Sequence, residues 1–221
     1  MEERRLAAAI LIGGRATRMG GASKSALTIG GLPIIDRQLA ALRPIAHPIF
    51  AVSSTDGPAP AGLACVRDRF PNHGALGGIY TAIVESPRDR TIVIACDLPF
   101  LTTQFFEHLA AIERDLVIPR SRRGYEPLAA VYSRRCADPI RRRLERGALG
   151  AQALAAALAG EAGPDGGVTV AEIGPEVSSA FDPDGLLFVN VNTPHDYERA
   201  NKLVEEGSKS SRDRIMDELG S

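Results

Sequence analysis

The chain has little cysteine, no excess of either charge and no long apolar run. Cys65, Cys96 and Cys136 lie far apart with no C-x-x-C pair, which argues against a zinc ribbon and a disulfide framework. Residence in the cytoplasm fits that usage. The 26 basic and 27 acidic side chains nearly cancel, so the basic excess of a general nucleic-acid binder is missing. No stretch approaches the length of a membrane span. Met1–Glu2–Glu3–Arg4–Arg5 leads straight into apolar sequence, with no separate signal-peptide body. No internal repeat is present. His47, His73, His108 and His195 lack metal-ligand spacing, and no Ser-His-Asp or Cys-His arrangement stands out, which disfavours covalent catalysis.

What is present starts with a glycine loop. The apolar run Leu6–Ile12 reads as a buried strand, and Gly13, Gly14, Gly20 and Gly21 follow it, with Arg15, Arg18 and Lys24 as cations. Bare N–H groups at glycines can approach an anion closely, and the cations can neutralise a polyphosphate. The bland alternative is a strand-to-helix turn whose glycines only satisfy geometry. Two known phosphate loops fail on spacing. A Walker A loop needs Gly before its Lys, where Ser23 stands, and a first Gly where Arg18 stands; the glycines also miss G-x-G-x-x-G.

At 221 residues the chain is long enough for one domain with a sizeable core, expected over residues 1–206, with 207–221 as a mobile polar tail. Further strands are expected at Ile49–Val52, Leu63–Val66, Thr91–Ala95, Asp115–Pro119, Leu128–Tyr132, Val168–Ile173 and Leu186–Val189. Helices are expected after Pro33, from about Leu76 to Glu85, from Thr102 or Thr103, from Asp138 to Gly147, around Ala151–Ala159 and from Pro194. Pro44 and Pro48 are expected to stop the first helix, and Arg120–Tyr125 reads as a basic loop. This alternation implies an α/β three-layer sandwich with a mostly parallel, Rossmann-like sheet. Ligands in such sheets sit outside the carboxyl ends of the strands. The Gly13–Lys24 loop, the Asp68–Gly78 stretch and Cys96–Asp97–Leu98–Pro99 are therefore expected to converge.

Asp97 closes a wholly apolar strand, where its carboxylate can bridge Mg²⁺ to a phosphate oxygen; otherwise it caps a helix. Asp68 is a second candidate, or a surface partner of Arg67 or Arg69. Asn190 and Asn192, one residue apart, share a face of an extended segment and offer donors and acceptors to a base or pterin edge. Turn formation before the Thr193–Pro194–His195–Asp196 helix start is the alternative. The run Arg134, Arg135, Arg141, Arg142, Arg143 and Arg146 reads as a solvated helix face.

These residues, in this order, resemble the molybdenum cofactor guanylyltransferases of the MobA-like nucleotidyltransferase family. The matching motifs are Leu11–Ile12–Gly13–Gly14 with Arg18–Met19–Gly20 and Lys24; Gly31–Leu32–Pro33; Asp68 with Gly74–Ala75–Leu76–Gly77–Gly78; Cys96–Asp97–Leu98–Pro99; and Phe188–Val189–Asn190–Val191–Asn192–Thr193–Pro194. Glu126–Pro127–Leu128 matches a weaker segment. The resemblance implies transfer of GMP from Mg²⁺·GTP to molybdopterin, with pyrophosphate released. It implies that Leu11, Ile12 and Gly13 present backbone groups to the guanine, that Gly14 belongs to the nucleotide site, that Lys24 sits on the phosphates, and that Lys24, Asp97 and Arg18 are the catalytic residues. Ser53, Asp68 and Gly78 would lie along the nucleotide, Asp97 would hold Mg²⁺, and Asn190 and Asn192 would lie near the pterin. Cofactor-insertion proteins or apo-molybdoenzymes would be transient partners, with no nucleic acid and no membrane.

The chain departs from the family pattern at Ser23, where Asp is usual, at Ile12, at Ala75 and at Ser53, where Asn is common. Cytidylyl transfer to the same pterin is the nearest rival, and the Gly13–Gly14 pair favours the guanine branch. An idle nucleotide- or cofactor-binding accessory protein is the alternative outside catalysis, kept open by Ser23.

Overall fold

The computed structural model describes residues 6–12, 18–19, 22–23, 27–55, 60–160 and 167–219, with side chains at 18–19, 22–23, 159–160 and 207–219 set aside. The strands are β1 (Leu6–Ile12), β2 (Arg18–Met19), β3 (Ala22–Ser23), β4 (Thr28–Ile29), β5 (Leu32–Pro33), β6 (Ala46–Ser53), β7 (Ala64–Arg67), β8 (Arg90–Ala95), β9 (Leu116–Ser121), β10 (Gly124–Tyr125), β11 (Ala129–Ser133) and β12 (Val170–Ile173). The helices are α1 (Ile34–Leu42), α2 (Gly74–Glu85), α3 (Thr103–Ala111), α4 (Ala137–Glu145), α5 (Leu154–Gly160), α6 (Pro175–Ser178) and α7 (Pro194–Leu219).

Among the described residues, eight strands form the main sheet. Seven run in the order β10-β9-β11-β8-β1-β6-β7, and β12 also pairs with β9. Pairing is parallel from β7 through β6 and β1 to β8, and between β9 and β12; β11 runs antiparallel to both its neighbours. The chain winds outward from β1 through β6 to β7, then returns to the other side of β1 for β8. The carboxyl ends of β1 and β8 therefore flank a topological switch point, the place where such sheets open a ligand crevice.

The central strand shows why the sheet is a middle layer. Successive side chains of a strand point to opposite faces. Ala8 and Ile10 enter one core, with Ile35, Leu39 and Leu42 of α1 and Phe105, Phe106 and Leu109 of α3. Ala7 and Ala9 enter the other, with Ile79 and Ile83 of α2, Ile140 and Leu144 of α4 and Leu154 and Leu158 of α5. Ala7 to Ile10 are fully buried, as expected for a parallel strand covered on both faces. A third, smaller cluster joins Ile29, Ile34, Val191 and Ala200, and Asn201 Oδ1 of α7 accepts from Gly30 N at 2.9 Å.

Several elements differ from expectation, each for a local reason. Leu186–Val189 forms no strand: Leu186 N donates to Asp182 Oδ1 at 2.6 Å and Leu187 N to Oδ2 at 2.7 Å, and Val189 N turns back to Leu186 O at 2.9 Å. The segment is a carboxylate-closed turn that drops Leu187 and Phe188 into the core. Pro48 lies inside β6 rather than serving only as a stop. The register shift between Leu6↔Ala46 and Ala8↔Ile49 accommodates a residue with no N–H to give. Arg120–Tyr125 is the β9–β10 hairpin, and the helix expected from Asp138 opens at Ala137. The helix expected around Ala151–Ala159 is a short 3₁₀ turn followed by α5, and Pro175–Ser178 is an additional short helix. Helix α7 continues through the polar residues 207–219, which contain no proline to end it.

Other local signals hold. Thr102 accepts from Phe105 N at 3.3 Å as the cap of α3. At α7, Asp196 N donates to Thr193 Oγ1 while Asp196 Oδ2 accepts from Thr193 N and Asn192 N, a reciprocal cap.

Candidate active site

Four parallel strands end side by side. Ile12 is level with Ser53, Ser53 with Arg67, and Leu11 with Ala95. Backbone bonds extend the alignment past the strands. Cys96 N donates to Leu11 O at 3.2 Å, Asp68 N to Ser53 O at 2.7 Å and Val191 N to Asp97 O at 2.9 Å. The sequence separated Leu11, Ser53, Asp68, Asp97 and Asn190 widely, and the sheet brings their segments to one edge. Gly13, Gly14 and Lys24 lie outside the described residues. Arg18 is described in backbone only, opposite Ser23 in the β2–β3 hairpin.

Gly78 and Leu11 meet directly. A Cβ on Gly78 would lie 2.8 Å from Leu11 Cδ1, so the missing side chain in α2 is the space Leu11 occupies. Gly77, one residue earlier, lets α2 approach the β7–α2 turn: a Cβ there would lie 2.5 Å from Phe70 O.

The two candidate carboxylates are held differently. Asp68 is 8 % exposed, and its Oδ1 accepts from Phe70 N at 3.0 Å and Thr81 Oγ1 at 2.9 Å. Its partners are these, while Arg69 is drawn off to Glu85 with Nε–Oε1 at 2.6 Å. Asp97 is half-buried, with Oδ1 shielded from solvent. Its turn is held through the main chain: Gln38 Nε2 donates to Ala95 O at 2.8 Å and to Leu98 O at 3.1 Å.

Ser53 turns its hydroxyl to its own exit loop, donating to Thr55 O at 2.9 Å and accepting from Thr55 N at 3.2 Å. The hydroxyl therefore closes the β6 turn, and its 6 % exposure leaves it little surface for a ligand. Asn190 is half-buried, Val191 is buried in the third cluster, and Asn192 is exposed. The two asparagines flank a buried valine in a segment that is not a strand.

One residue at this edge was missed as a site residue. Arg123 of the β9–β10 turn donates to Phe188 O, and to Asn190 Oδ1 at 3.2 Å. Beside it, burial raises the Glu126 carboxyl above its usual range, opposed by the Ser121 hydroxyl at 2.7 Å and by the Arg123 charge. Leu128 O of the same Glu126–Pro127–Leu128 segment accepts from Ala95 N at 3.0 Å, so the hairpin base abuts the strand that leads to Asp97. The basic composition of the loop was visible in the sequence; its approach to Asn190 depends on a contact between residues 67 positions apart.

Arg134 and Arg141 of the basic run lie away from this edge. Arg134 Nη2 donates to Ser86 O at 2.6 Å, before the amino end of β8 and opposite the crevice. Arg141 pairs along α4 with Asp138 at 3.4 Å and Glu145 at 3.5 Å, as a solvated helix face does.

Among the described residues no group of three or more His, Cys, Asp or Glu side chains converges to hold a metal. Mg²⁺ carried by a polyphosphate needs no such cluster, since it takes one or two carboxylates and completes its shell with phosphate oxygens and water. Asp97, in the turn after β8, is a carboxylate of the kind such an ion takes. No described helix is long and apolar enough to cross a membrane.

Comparison with known proteins agrees with this geometry. A family model described as the MobA-like NTP transferase domain matches residues 8–162. A molybdenum cofactor guanylyltransferase of Desulfosudis oleivorans is 31 % identical over 202 residues, covering 90 % of this chain and 95 % of the relative. Among solved structures, molybdopterin-guanine dinucleotide biosynthesis protein A of Archaeoglobus fulgidus shares the fold with a TM-score of 0.70 at 24 % identity, over 90 % of this chain and 98 % of that one. The 2-C-methyl-D-erythritol 4-phosphate cytidylyltransferase of Thermus thermophilus shares it at a TM-score of 0.59 and 16 % identity, over 90 % and 98 %. With the sheet order, the aligned strand ends and the family match over most of its length in agreement, the chain belongs to the MobA-like NTP transferases.

Proposed function

We propose that residues 1–206 form a single catalytic unit that moves GMP from Mg²⁺·GTP to molybdopterin. The observation that carries this reading is the joining of the Asp97 turn to the end of β1 by the Cys96 N to Leu11 O bond. It puts a carboxylate beside the strand end from which the glycine loop departs. The 31 % identity to a molybdenum cofactor guanylyltransferase over nearly its whole length supports the choice of substrates.

In the proposed reaction, an oxygen of the pterin's terminal phosphate forms a bond to the α-phosphorus of GTP. The bond from that phosphorus to the α,β-bridging oxygen breaks, and its electron pair leaves with pyrophosphate. The nucleophile is already an anion, so no protein base is required. The protein's task is to align two anions and offset their repulsion. The Leu11–Gly14 backbone faces the guanine, with Leu11 seated in the space left by Gly78. Lys24 and Arg18 neutralise the phosphates. Asp97 holds the metal, and a bound magnesium ion supplies charge neutralisation and polarises the phosphoryl oxygens. Asn190, steadied by Arg123, and Asn192 receive the pterin side. The product passes in the cytoplasm to insertion proteins or apo-molybdoenzymes.

The test is incubation of purified protein with Mg²⁺, molybdopterin and either GTP or CTP, with pyrophosphate release as the readout. Release with GTP alone is expected. Release with CTP alone reassigns the base, and tight GTP binding without turnover makes the protein an accessory. Lys24→Ala is expected to weaken GTP binding about tenfold in calorimetric titration, through loss of a phosphate cation.

A further inference from the structure

Gln38 is a polar side chain in an apolar position. It lies on the stripe of α1 that buries Ile35, Leu39 and Leu42, and it is 1 % exposed. A side-chain amide brings two donors and an acceptor that each need a partner. Both carbonyls that Nε2 reaches belong to one turn, and they bracket Cys96–Asp97. Gln38 Oε1, by contrast, is buried, and no described group donates to it. An apolar side chain of similar size would fill the same space without an orphaned acceptor. What it would lose is the pair of bonds to the Ala95–Leu98 turn. The same turn is held from two other directions, by Val191 N on Asp97 O and by Leu11 O on Cys96 N. The Asp97 peptide is thus clamped between α1, β1 and the asparagine segment.

We propose that Gln38 is a positioning residue for the metal-holding carboxylate: by fixing the Ala95 and Leu98 carbonyls it sets the Asp97 peptide, and through it the direction of the Asp97 side chain. The proposal rests on the reading of Asp97 as the metal carboxylate. Groups that orient a metal ligand from behind typically change metal affinity about ten- to hundredfold when removed.

The experiment is an electron paramagnetic resonance titration of Mn²⁺ against the full chain, with and without an α,β-methylene analogue of GTP. Gln38→Met keeps the volume and removes both donors. It is expected to weaken Mn²⁺ binding in the analogue complex about ten- to hundredfold while metal-free analogue binding stays unchanged. A role confined to packing would lower the melting temperature and leave Mn²⁺ affinity where it was, and that result overturns the proposal. If Gln38→Met does not fold, Gln38→Glu decides in the same way, being isosteric with at most one donor. Asp97→Asn separates the two readings. If it weakens Mn²⁺ binding and the Gln38 variants do not, the Gln38 inference alone fails. If it leaves Mn²⁺ binding intact, the metal assignment fails and the inference falls with it.

Discussion

The β7–α2 turn and the β8–α3 turn each put an aspartate at the end of a parallel strand, and they use it in opposite ways. In the first, the side chain does the holding: Asp68 Oδ1 ties Phe70 N and the Thr81 hydroxyl to the turn. In the second, the peptide is held, by Gln38 on the flanking carbonyls and by Val191 on Asp97 O. A carboxylate that serves as a bracket contributes to stability. Around the second carboxylate it is the flanking peptide that is fixed, from α1, β1 and the asparagine segment. The difference teaches that position at a strand end does not define a role; the bonding of the surrounding peptide does.

The comparison can be broken most easily at Asp97. Asp97→Ala is expected to lower kcat about a thousandfold, roughly 4 kcal/mol of transition-state stabilisation, with the melting temperature within about 3 °C of wild type. Pyrophosphate release and calorimetry check the two halves, and full activity removes Asp97 from the mechanism. Gly77→Ala tests the packing of the other turn. Its Cβ meets the Phe70 carbonyl at 2.5 Å, a backbone atom that has little room to yield, and about 3 kcal/mol of stability is expected to be lost in urea unfolding.

Asp68→Ala is expected to cost about 2 kcal/mol by the same measurement, because it leaves Phe70 N without its acceptor and removes one partner of Thr81. Activity per folded molecule should fall far less than in Asp97→Ala; an equal fall would erase the contrast.

Asp115, before the amino end of β9 and away from the crevice, supplies the smallest effect. Burial works to raise its carboxyl. The Thr169 N–H and hydroxyl, the Ser133 hydroxyl and the Arg135 guanidinium outweigh that and hold it below the usual carboxylate range. A carboxyl depressed in the folded state stabilises above its unfolded pKa, and the contribution is lost as pH falls through the folded value. Stability should therefore decline below about pH 4, and Asp115→Asn should flatten that decline while costing about 1 kcal/mol at neutral pH. Urea midpoints across pH 3–7 check the slope.

Much of this could be read along the chain. The apolar runs located β1, β8, β9 and β11 to within a residue or two, because strands covered on both faces of the sheet leave few positions for polar side chains. The alternation of strands and helices fixed the layers, and Asp97 was legible because it follows the apolar run Ile92–Ala95 of β8. Other features were hidden. Leu186–Val189 has the composition of a strand, yet two of its N–H groups go to the Asp182 carboxylate and a third turns back within the segment. Gln38 carried a readable sign, a polar residue on the apolar stripe of α1, but its partners are about sixty positions away. Arg123 belonged to a visibly basic loop whose neighbour in space was not visible.

By itself the sequence determined the sandwich, the strand whose end carries Asp97, and the capped start of the last helix at Thr193, because periodicity and capping are local and act within a few residues. Only the tertiary structure decided that Asp68 braces its turn, where the β9–β10 arginine lands, and which turn the buried glutamine of α1 holds. Those outcomes depend on hydrogen bonds between distant segments, whose partners are chosen when the sheet closes.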